Sequence, residues 1–198
     1  MKRLFLPLIT LTLLIAPSLA MAGNWSIDPD HSAAHFKVQH MMIADVRGSF
    51  PDVQGVAVID DKDVTRSTID VTINAASIAT GVEKRDAHLK SADFFDVEKY
   101  PVLTFKSKRV KKASGNTLKV VGDLTLHGLT KEVELLVSGP SDDVKDPWGN
   151  TRKGAKATTR IDRKDFGIIY NATLDNGGVL IGDEVEITID LELIKQAG

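Results

Sequence analysis

The sequence predicts an all-β fold, an antiparallel sandwich or barrel of eight or nine strands with one short helix. Three observations carry that expectation. From Trp25 to the C-terminus, apolar and polar residues alternate with a period of two in stretch after stretch, the mark of half-buried strands. Turn residues separate those stretches at regular spacing. Only the segment 80–101 reads as a helix. Nearly every stretch keeps one apolar face from end to end, which favours a closed barrel over a sandwich. At eight strands such a barrel is filled by its own side chains or holds one small ligand.

Trp25-Ser26-Ile27-Asp28 is a short extended lead-in, turned by Pro29-Asp30. Ala34, Phe36, Val38 and His40 then share an apolar face, while His31 and His35 point the other way. Gly48-Ser49-Phe50-Pro51 reads as a turn. Gln54 to Asp60 is a strand with apolar residues on both faces, so its inner side stays open. After a polar turn at Asp60-Asp61-Lys62-Asp63, Ser67 to Asn74 alternates cleanly, with Ile69, Val71 and Ile73 inward.

Thr80 and Glu83 have the capping-box spacing, so a helix is expected over residues 81–91. Arg85, His88 and Leu89 stand at i, i+3 and i+4 and share one face of it. Pro101 ends the segment and returns the chain to extended structure. The helix face and the Phe94-Phe95 pair that follows are expected to form the lid and rim of any cavity. Neighbouring phenylalanines on an extended chain point opposite ways, so one of the two is expected to pack as structure.

Beyond Pro101, Leu103 and Phe105 face inward, followed by Leu118, Val120, Gly122, Leu124 and Leu126 on one face. His127-Gly128 turns the chain into Val133, Leu135 and Val137. Ser138 to Asn150 is a Pro/Gly/Asp-rich loop carrying Trp148. Ala155, Ala157, Thr159 and Ile161 form the next inner face. Asp162 to Gly167 is a structured corner in which Arg163 can pair with a carboxylate. A long polar loop precedes the last strand, where Val185, Ile187, Ile189, Leu191 and Leu193 face one way.

Composition excludes several functions. The 198 residues contain no cysteine, which removes disulfides, thiolate metal sites, a cysteine nucleophile and lipid attachment to an N-terminal cysteine. The 25 basic and 27 acidic residues are interspersed without a basic block, so nucleic acid is not an expected partner. Lys2-Arg3, the apolar run Leu4 to Leu19 and the small residues of Ala20-Met21-Ala22 make residues 1–22 a secretory signal, with cleavage expected after Ala22 and a single domain over 23–198. A retained anchor is the alternative, but Pro7 and Pro17 interrupt a run already short for a span.

The histidines invite metal and catalytic readings. On a strand, His31 and His35 are separated by roughly 13 Å, too far to share an ion whose bonds to nitrogen are about 2 Å. No metal or cofactor is therefore expected. Asp30-His31-Ser32 has the residue types of a hydrolytic triad, yet neighbours on a strand face opposite ways, and no Gly-x-Ser-x-Gly elbow occurs. His40 is a polar tip on an apolar face: either a core histidine satisfied by one hydrogen bond or a polar group at the mouth or floor of a pocket.

Taken together, Asp28-Pro29-Asp30-His31-Ser32, Phe36 to His40, Gly48-Ser49-Phe50, Arg85-Asp86-Ala87-His88-Leu89, Asp93-Phe94-Phe95-Asp96, Tyr100-Pro101, Phe105, Gly122 to Thr130 and Arg163-Lys164-Asp165-Phe166-Gly167 resemble the YceI-like family of exported, polyprenyl-binding, lipocalin-like proteins. The matching pieces span the chain from Asp28 onward, in order. The resemblance implies an extended eight-stranded antiparallel barrel whose cavity takes a long isoprenoid or fatty amphiphile. It also implies a binding, transport or storage role without catalysis, in the periplasm, with a homodimer as a possible assembly.

The residues expected to contact the ligand are Phe36, Val38, His40, Arg85, His88, Leu89, Phe94, Phe95, Leu103, Phe105 and Phe166. Arg85 and His88 are the candidates for orienting a head group, and transient contact with a membrane or membrane redox proteins is an expected way of exchanging the lipid. The rival readings are an enzyme acting on a quinone or lipid head group, with His40 or His88 as acid–base, and a stress-associated interaction barrel with a filled core.

Overall fold

The computed structural model describes residues 22–197. The leader expected over residues 1–22 therefore falls, apart from Ala22, outside the described residues. The strands are β1 (Ala22–Ile27), β2 (Ala33–His40), β3 (Ala44–Phe50), β4 (Val53–Asp60), β5 (Thr68–Asn74), β6 (Val102–Lys112), β7 (Thr117–Leu126), β8 (Leu129–Ser138), β9 (Val144–Lys145), β10 (Thr151–Asp162) and β11 (Ile181–Lys195). One helix, α1 (Glu83–Lys90), lies between β5 and β6.

Eight of these strands close a ring in the order β11-β1-β4-β5-β6-β7-β8-β10, sealed by the pairing of β10 back onto β11. Every pairing is antiparallel. The fold is thus the closed eight-stranded antiparallel barrel that the alternation predicts. β11, at 15 residues the longest strand, is the seam. One of its edges takes β10 from Arg152 opposite Ile194 to Asp162 opposite Glu184. The other is shared: Leu193–Lys195 pairs with β1, and Ile181–Asp190 pairs with β2. The β2–β3 hairpin consequently adds wall to the barrel on one side, and its tip runs past the last rung of β10.

Side-chain alternation does the rest. Val71, Leu103, Phe105, Leu118, Val120, Leu126, Leu135, Ala157, Ile161 and Leu193 are all buried, each on the inward parity of its strand. In β4 the open choice resolves toward Val53, Ala57 and Ile59, which are buried, whereas Val56 is exposed. A register shift in the β6–β7 pairing between Ser107 and Arg109 is a bulge that reverses the inward parity of β6. Leu103 and Phe105 face in before it, and Val110 joins the core after it. Gly122 lies across from this bulge, where a Cβ would fall 2.4 Å from the Lys106 carbonyl oxygen and 2.6 Å from the Phe105 ring. Only glycine fits there.

Three expectations need correction. Residues 48–50 are not a turn but the end of β3, whose short, polar sequence conceals the strand; the turn is at Met41 and Met42, both with positive φ. The loop 138–150 carries the two-residue strand β9, and β10 begins at Thr151. The helix is shorter than 81–91 and has no capping box. Gly81, at φ +78°, bends the chain so that Val82 occupies the N-cap without a side-chain bond. The Thr80 hydroxyl and amide instead donate to Asp86 Oδ1.

At the barrel end away from α1, one guanidinium ties three elements together. Arg152 donates to Asp146 Oδ2 at 2.7 Å, to Glu192 Oε1 at 2.6 Å and to Asp28. Asp28 also meets His31 Nδ1 at 2.9 Å. Asp146 further accepts the backbone amides of Trp148 and Asn150, so it is the pivot of the 146–150 turn. Donation from Arg152 and His31 holds the Asp28 carboxyl below its usual range against the opposing effect of burial. Burial pushes Asp146 up, but its donors outweigh that and hold it well below the usual range. His31 is raised by the Asp28 carboxylate.

The pH dependence follows from these signs. Depressed carboxyl groups contribute stability above their unfolded pKa, near 3.9, and lose it as pH falls through the lower folded value. His31 contributes below about 6.5 and loses its contribution as pH rises through its higher folded value. Arg152→Met is expected to destabilise the barrel most at neutral pH, with the gap to the parent closing below about pH 4. Urea denaturation from pH 3 to pH 8 measures it; a gap that does not vary with pH would contradict the assignment.

Candidate functional site

The inward faces do not meet at the centre. They enclose a cavity of about 250 Å³ whose accessible wall is wholly apolar. Leu89, Phe94, Phe95, Phe36 and Phe50 line it at the α1 end, and Val64, Leu118, Val137 and Pro140 line it at the other. Ala57, Ile69, Val120, Ala157, Ile187 and Ile189 form its middle. An engineered apolar cavity of about 150 Å³ stays dry and binds benzene, so this larger space suits an extended apolar guest.

Of the residues expected at the site, Phe36, Val38, Leu89, Phe94, Phe95, Leu103 and Phe105 line the cavity. Both adjacent phenylalanines do so, contrary to the alternation expected of them. Residues 91–100 form consecutive turns rather than a strand, in which the amides of Phe94 and Phe95 donate to the carbonyls of Ser91 and Leu89. Phe95 packs edge-on against Phe50 at 5.3 Å between centroids, and Phe50 lies 5.9 Å from Phe36. This aromatic chain joins the 91–100 turns to the β2–β3 hairpin.

His40, Arg85, His88 and Phe166 lie outside the lining. His40 keeps the parity of Phe36 and Val38 and pairs with Ile181, which lines the cavity, but as the last residue of β2 it is not itself part of the lining. Arg85 is committed to its own helix start: Nε donates to Thr80 Oγ1 at 2.7 Å and Nη2 to the Thr80 carbonyl at 3.0 Å. His88 is exposed, with Nε2 2.8 Å from Asp93 Oδ2. No residue of α1 is fully buried, so the helix seats on the barrel through Leu89 rather than through the expected stripe. Phe166 is almost wholly buried, in the 3-10 turn Arg163–Phe166, where it packs as core behind the wall.

Alternation did not identify Phe50, Val110, Ile168 and Ile181 as lining residues, nor Arg163. Arg163 is buried at the α1 end, and its guanidinium donates to the carbonyls of Gly182, Ile168, Tyr170 and Ile181 and to Asp183 Oδ1. All five N–H donors of a guanidinium are thereby used. Arg163 borders the cavity as a fastener of the 168–183 segment and has no donor left for a guest.

Polar groups gather outside Phe94. The His88 ring meets Phe94 edge-on at 5.0 Å and Tyr170 at 5.0 Å, and Phe94 lies 5.0 Å from Tyr170. Phe94 thus separates the cavity from a small polar surface made by His88, Asp93 and Tyr170. At the other end, Asp28, His31 and Glu192 offer ligand atoms within 4.8 Å of one another. Arg152 already lies against both carboxylates, so its charge occupies the place a metal ion would take.

Phe94→Ala is expected to cost about 3 kcal/mol of stability and to speed the release of an apolar fluorophore from the cavity. His88→Ala is expected to leave the release of that uncharged probe within about threefold of the parent. Chemical denaturation and stopped-flow dissociation distinguish the two variants.

Comparison with known proteins agrees with this architecture. The YceI-like domain model matches residues 25–193. Protein YceI of Escherichia coli O157:H7 is 38% identical over 200 residues, covering 99% of this chain and all of that one. Among solved structures, the YceI protein of Campylobacter jejuni superposes with a TM-score of 0.68 at 30% identity, over 81% of this chain and 91% of its own. A polyisoprenoid binding domain from Saccharophagus degradans, implicated in plant cell wall breakdown, superposes with a TM-score of 0.63 over 87% of this chain and 98% of its own; at 16% identity it is alike in fold alone. On the extent of the domain match and the identity across its length, the chain belongs to the YceI-like family.

Proposed function

We propose that this protein binds, and carries or stores, a long-chain isoprenoid or similar amphiphilic lipid in its barrel, in the periplasm after removal of residues 1–22. The observation that carries the reading is the wholly apolar cavity running between the two ends of the barrel. Each CH2 buried there contributes about 0.8 kcal/mol, so several isoprene units offset the loss of freedom on binding without any covalent step. A polyprenyl group, a quinone precursor and a fatty acid or amide all have the required form. The polyisoprenoid binding domain of like fold supports the same class of guest.

A wall whose accessible surface is apolar leaves the head group nowhere inside to be satisfied, and burying it unpaired is costly. The head group therefore stays at a mouth. The α1 end supports that role better, because His88, Asp93 and Tyr170 surround Phe94 there. This differs from the expectation based on Arg85, whose donors face Thr80. Exchange with a membrane through transient contact completes the reading.

Filling the cavity from its wall tests the proposal. Ala157 lies midway along β10 and is 3% exposed. Ala157→Trp, whose indole takes space the guest would occupy, is expected to weaken retention of a long-chain polyprenol by at least about tenfold, a loss of about 1.4 kcal/mol or more. Gel filtration of the lipid-stripped protein with labelled polyprenol reads the retained fraction. Equal retention by parent and a folded Ala157→Trp variant would contradict a guest in this cavity.

A further inference from the structure

The turn between β2 and β3 concentrates the soft donor atoms of this chain. Of its four methionines, Met1 and Met21 fall in residues 1–22, and the other two, Met41 and Met42, directly follow His40. Methionine usually fills irregular gaps in a core. Neither of these does so: Met41 is 37% and Met42 53% exposed. The sequence has no cysteine, so these two thioethers carry the only sulfur atoms from residue 23 onward.

The backbone makes their placement costly. The Ile43 amide donates to the His40 carbonyl at 3.1 Å, closing a four-residue turn with Met41 and Met42 at its centre. Both have positive φ, 52° and 62°, as in a type I′ turn, where glycine and asparagine are the usual choices. Two long side chains in left-handed backbone are strained, and strain of this kind clusters at functional positions. The Met41 amide donates to the Leu180 carbonyl at 2.7 Å, which ties the turn to the segment before β11. A purely apolar contact needs only an aliphatic side chain, and Ile43 already presents one at 81% exposure. What methionine adds at the two central positions is sulfur.

The three side chains radiate from one small patch. Across such a turn the first and fourth Cα atoms lie within roughly 7 Å, and the rotatable bonds of methionine let its sulfur swing over that span. His40 keeps the inner-face parity at the end of β2, while Met42 borders a shallow depression on the outer face with Gln39, Asp45 and Gly182. Met41 stands between them. The His40 ring has no hydrogen bond or ion pair with another described residue. Nearby carboxylates are already paired, Asp45 with Arg47 and Lys37, and Asp183 with Arg163 and Lys164. The donors left are two thioethers and an imidazole. Thioether and imidazole together favour Cu(I), whereas zinc sites use thiolate, imidazole and carboxylate. The expectation that no metal is bound rests on His31 and His35, which lie elsewhere.

We infer that His40, Met41 and Met42 form a binding site for a soft monovalent metal ion, Cu(I), at the tip of the β2–β3 hairpin. None of the three lines the cavity, so the inference does not rest on the lipid reading.

The chain from residue 23 onward, labelled with 13C-methyl methionine, tests it, because its spectrum contains only the Met41 and Met42 methyl signals. Titration with Ag(I), which shares the ligand preference of Cu(I) without its redox chemistry, is expected to shift both signals and to saturate at one ion per chain. Zn(II) is expected to leave them in place. Met41→Leu with Met42→Leu keeps the side-chain volume and is expected to weaken Ag(I) binding, read by calorimetry, at least about tenfold; His40→Gln is expected to weaken it as well. Unchanged thermal unfolding of the ion-free variants verifies their fold. Methyl signals that ignore Ag(I), or an Ag(I) affinity indifferent to the double leucine variant, would overturn the inference. So would Zn(II) binding as tight as Ag(I) that is lost only in His40→Gln, since that would leave the sulfur atoms without a role.

Discussion

An eight-stranded ring can be filled by its own side chains or left open for one guest, and in this chain the inward side chains leave the space unfilled. At about 24 cal/mol per Å³, a cavity of about 250 Å³ forgoes about 6 kcal/mol of packing. That is comparable to the whole net stability of many domains. The wall must therefore hold itself together through its hydrogen-bond ladders and through contacts between neighbouring inward residues. Closure of β10 onto β11 supplies this, because it leaves no open edge in the ring and distributes the apolar surface around a continuous wall.

The same constraint governs where polar chemistry is allowed. Buried cations and carboxylates occur only where partners satisfy them, and both major clusters lie at barrel ends. Arg163 gathers the carbonyls of the 168–183 segment at the α1 end, and Arg152 joins Asp28, Asp146 and Glu192 at the other. Neither guanidinium has a role toward a guest, since each is enclosed by its own acceptors. The polar groups with freedom to meet a head group stand on the solvent side of Phe94. Fold and site are in this sense one design: an apolar wall, fastened ends and an aromatic ring, Phe94, at the α1 end.

Much of the wall was legible because alternation is a direct readout of which side chains face a pleated sheet's interior. Val71, Leu103, Phe105, Val120, Leu135, Ala157 and Leu193 all fall where their parity puts them. The exceptions have physical causes. Val110 lies beyond a bulge that reverses the parity of β6, and β4 carries apolar residues on both faces because Val56 is exposed while Ala57 is buried. β3 is not evident in the sequence, where residues 48–51 read as a turn, because Ala44-Asp45-Val46-Arg47-Gly48 has no apolar face of its own. The 80–101 segment stands out in the sequence as the one helical stretch, but its details depend on contacts no period encodes: Gly81 moves the helix start, Asp86 takes Thr80, and consecutive turns bring both Phe94 and Phe95 to the cavity. The preference for Arg85 and His88 as inward groups rested on helical spacing alone, which places residues on one face without fixing which way that face turns.

The central claim is that the unfilled interior is a lipid site. Native mass spectrometry of protein purified gently from a periplasmic fraction, with solvent extraction of the same sample, tests it most directly. The account predicts an adduct of one lipid per barrel, with a long apolar chain, that is lost on extraction and regained from added polyprenyl lipid. Repeated preparations that carry no lipid and take none up would contradict it.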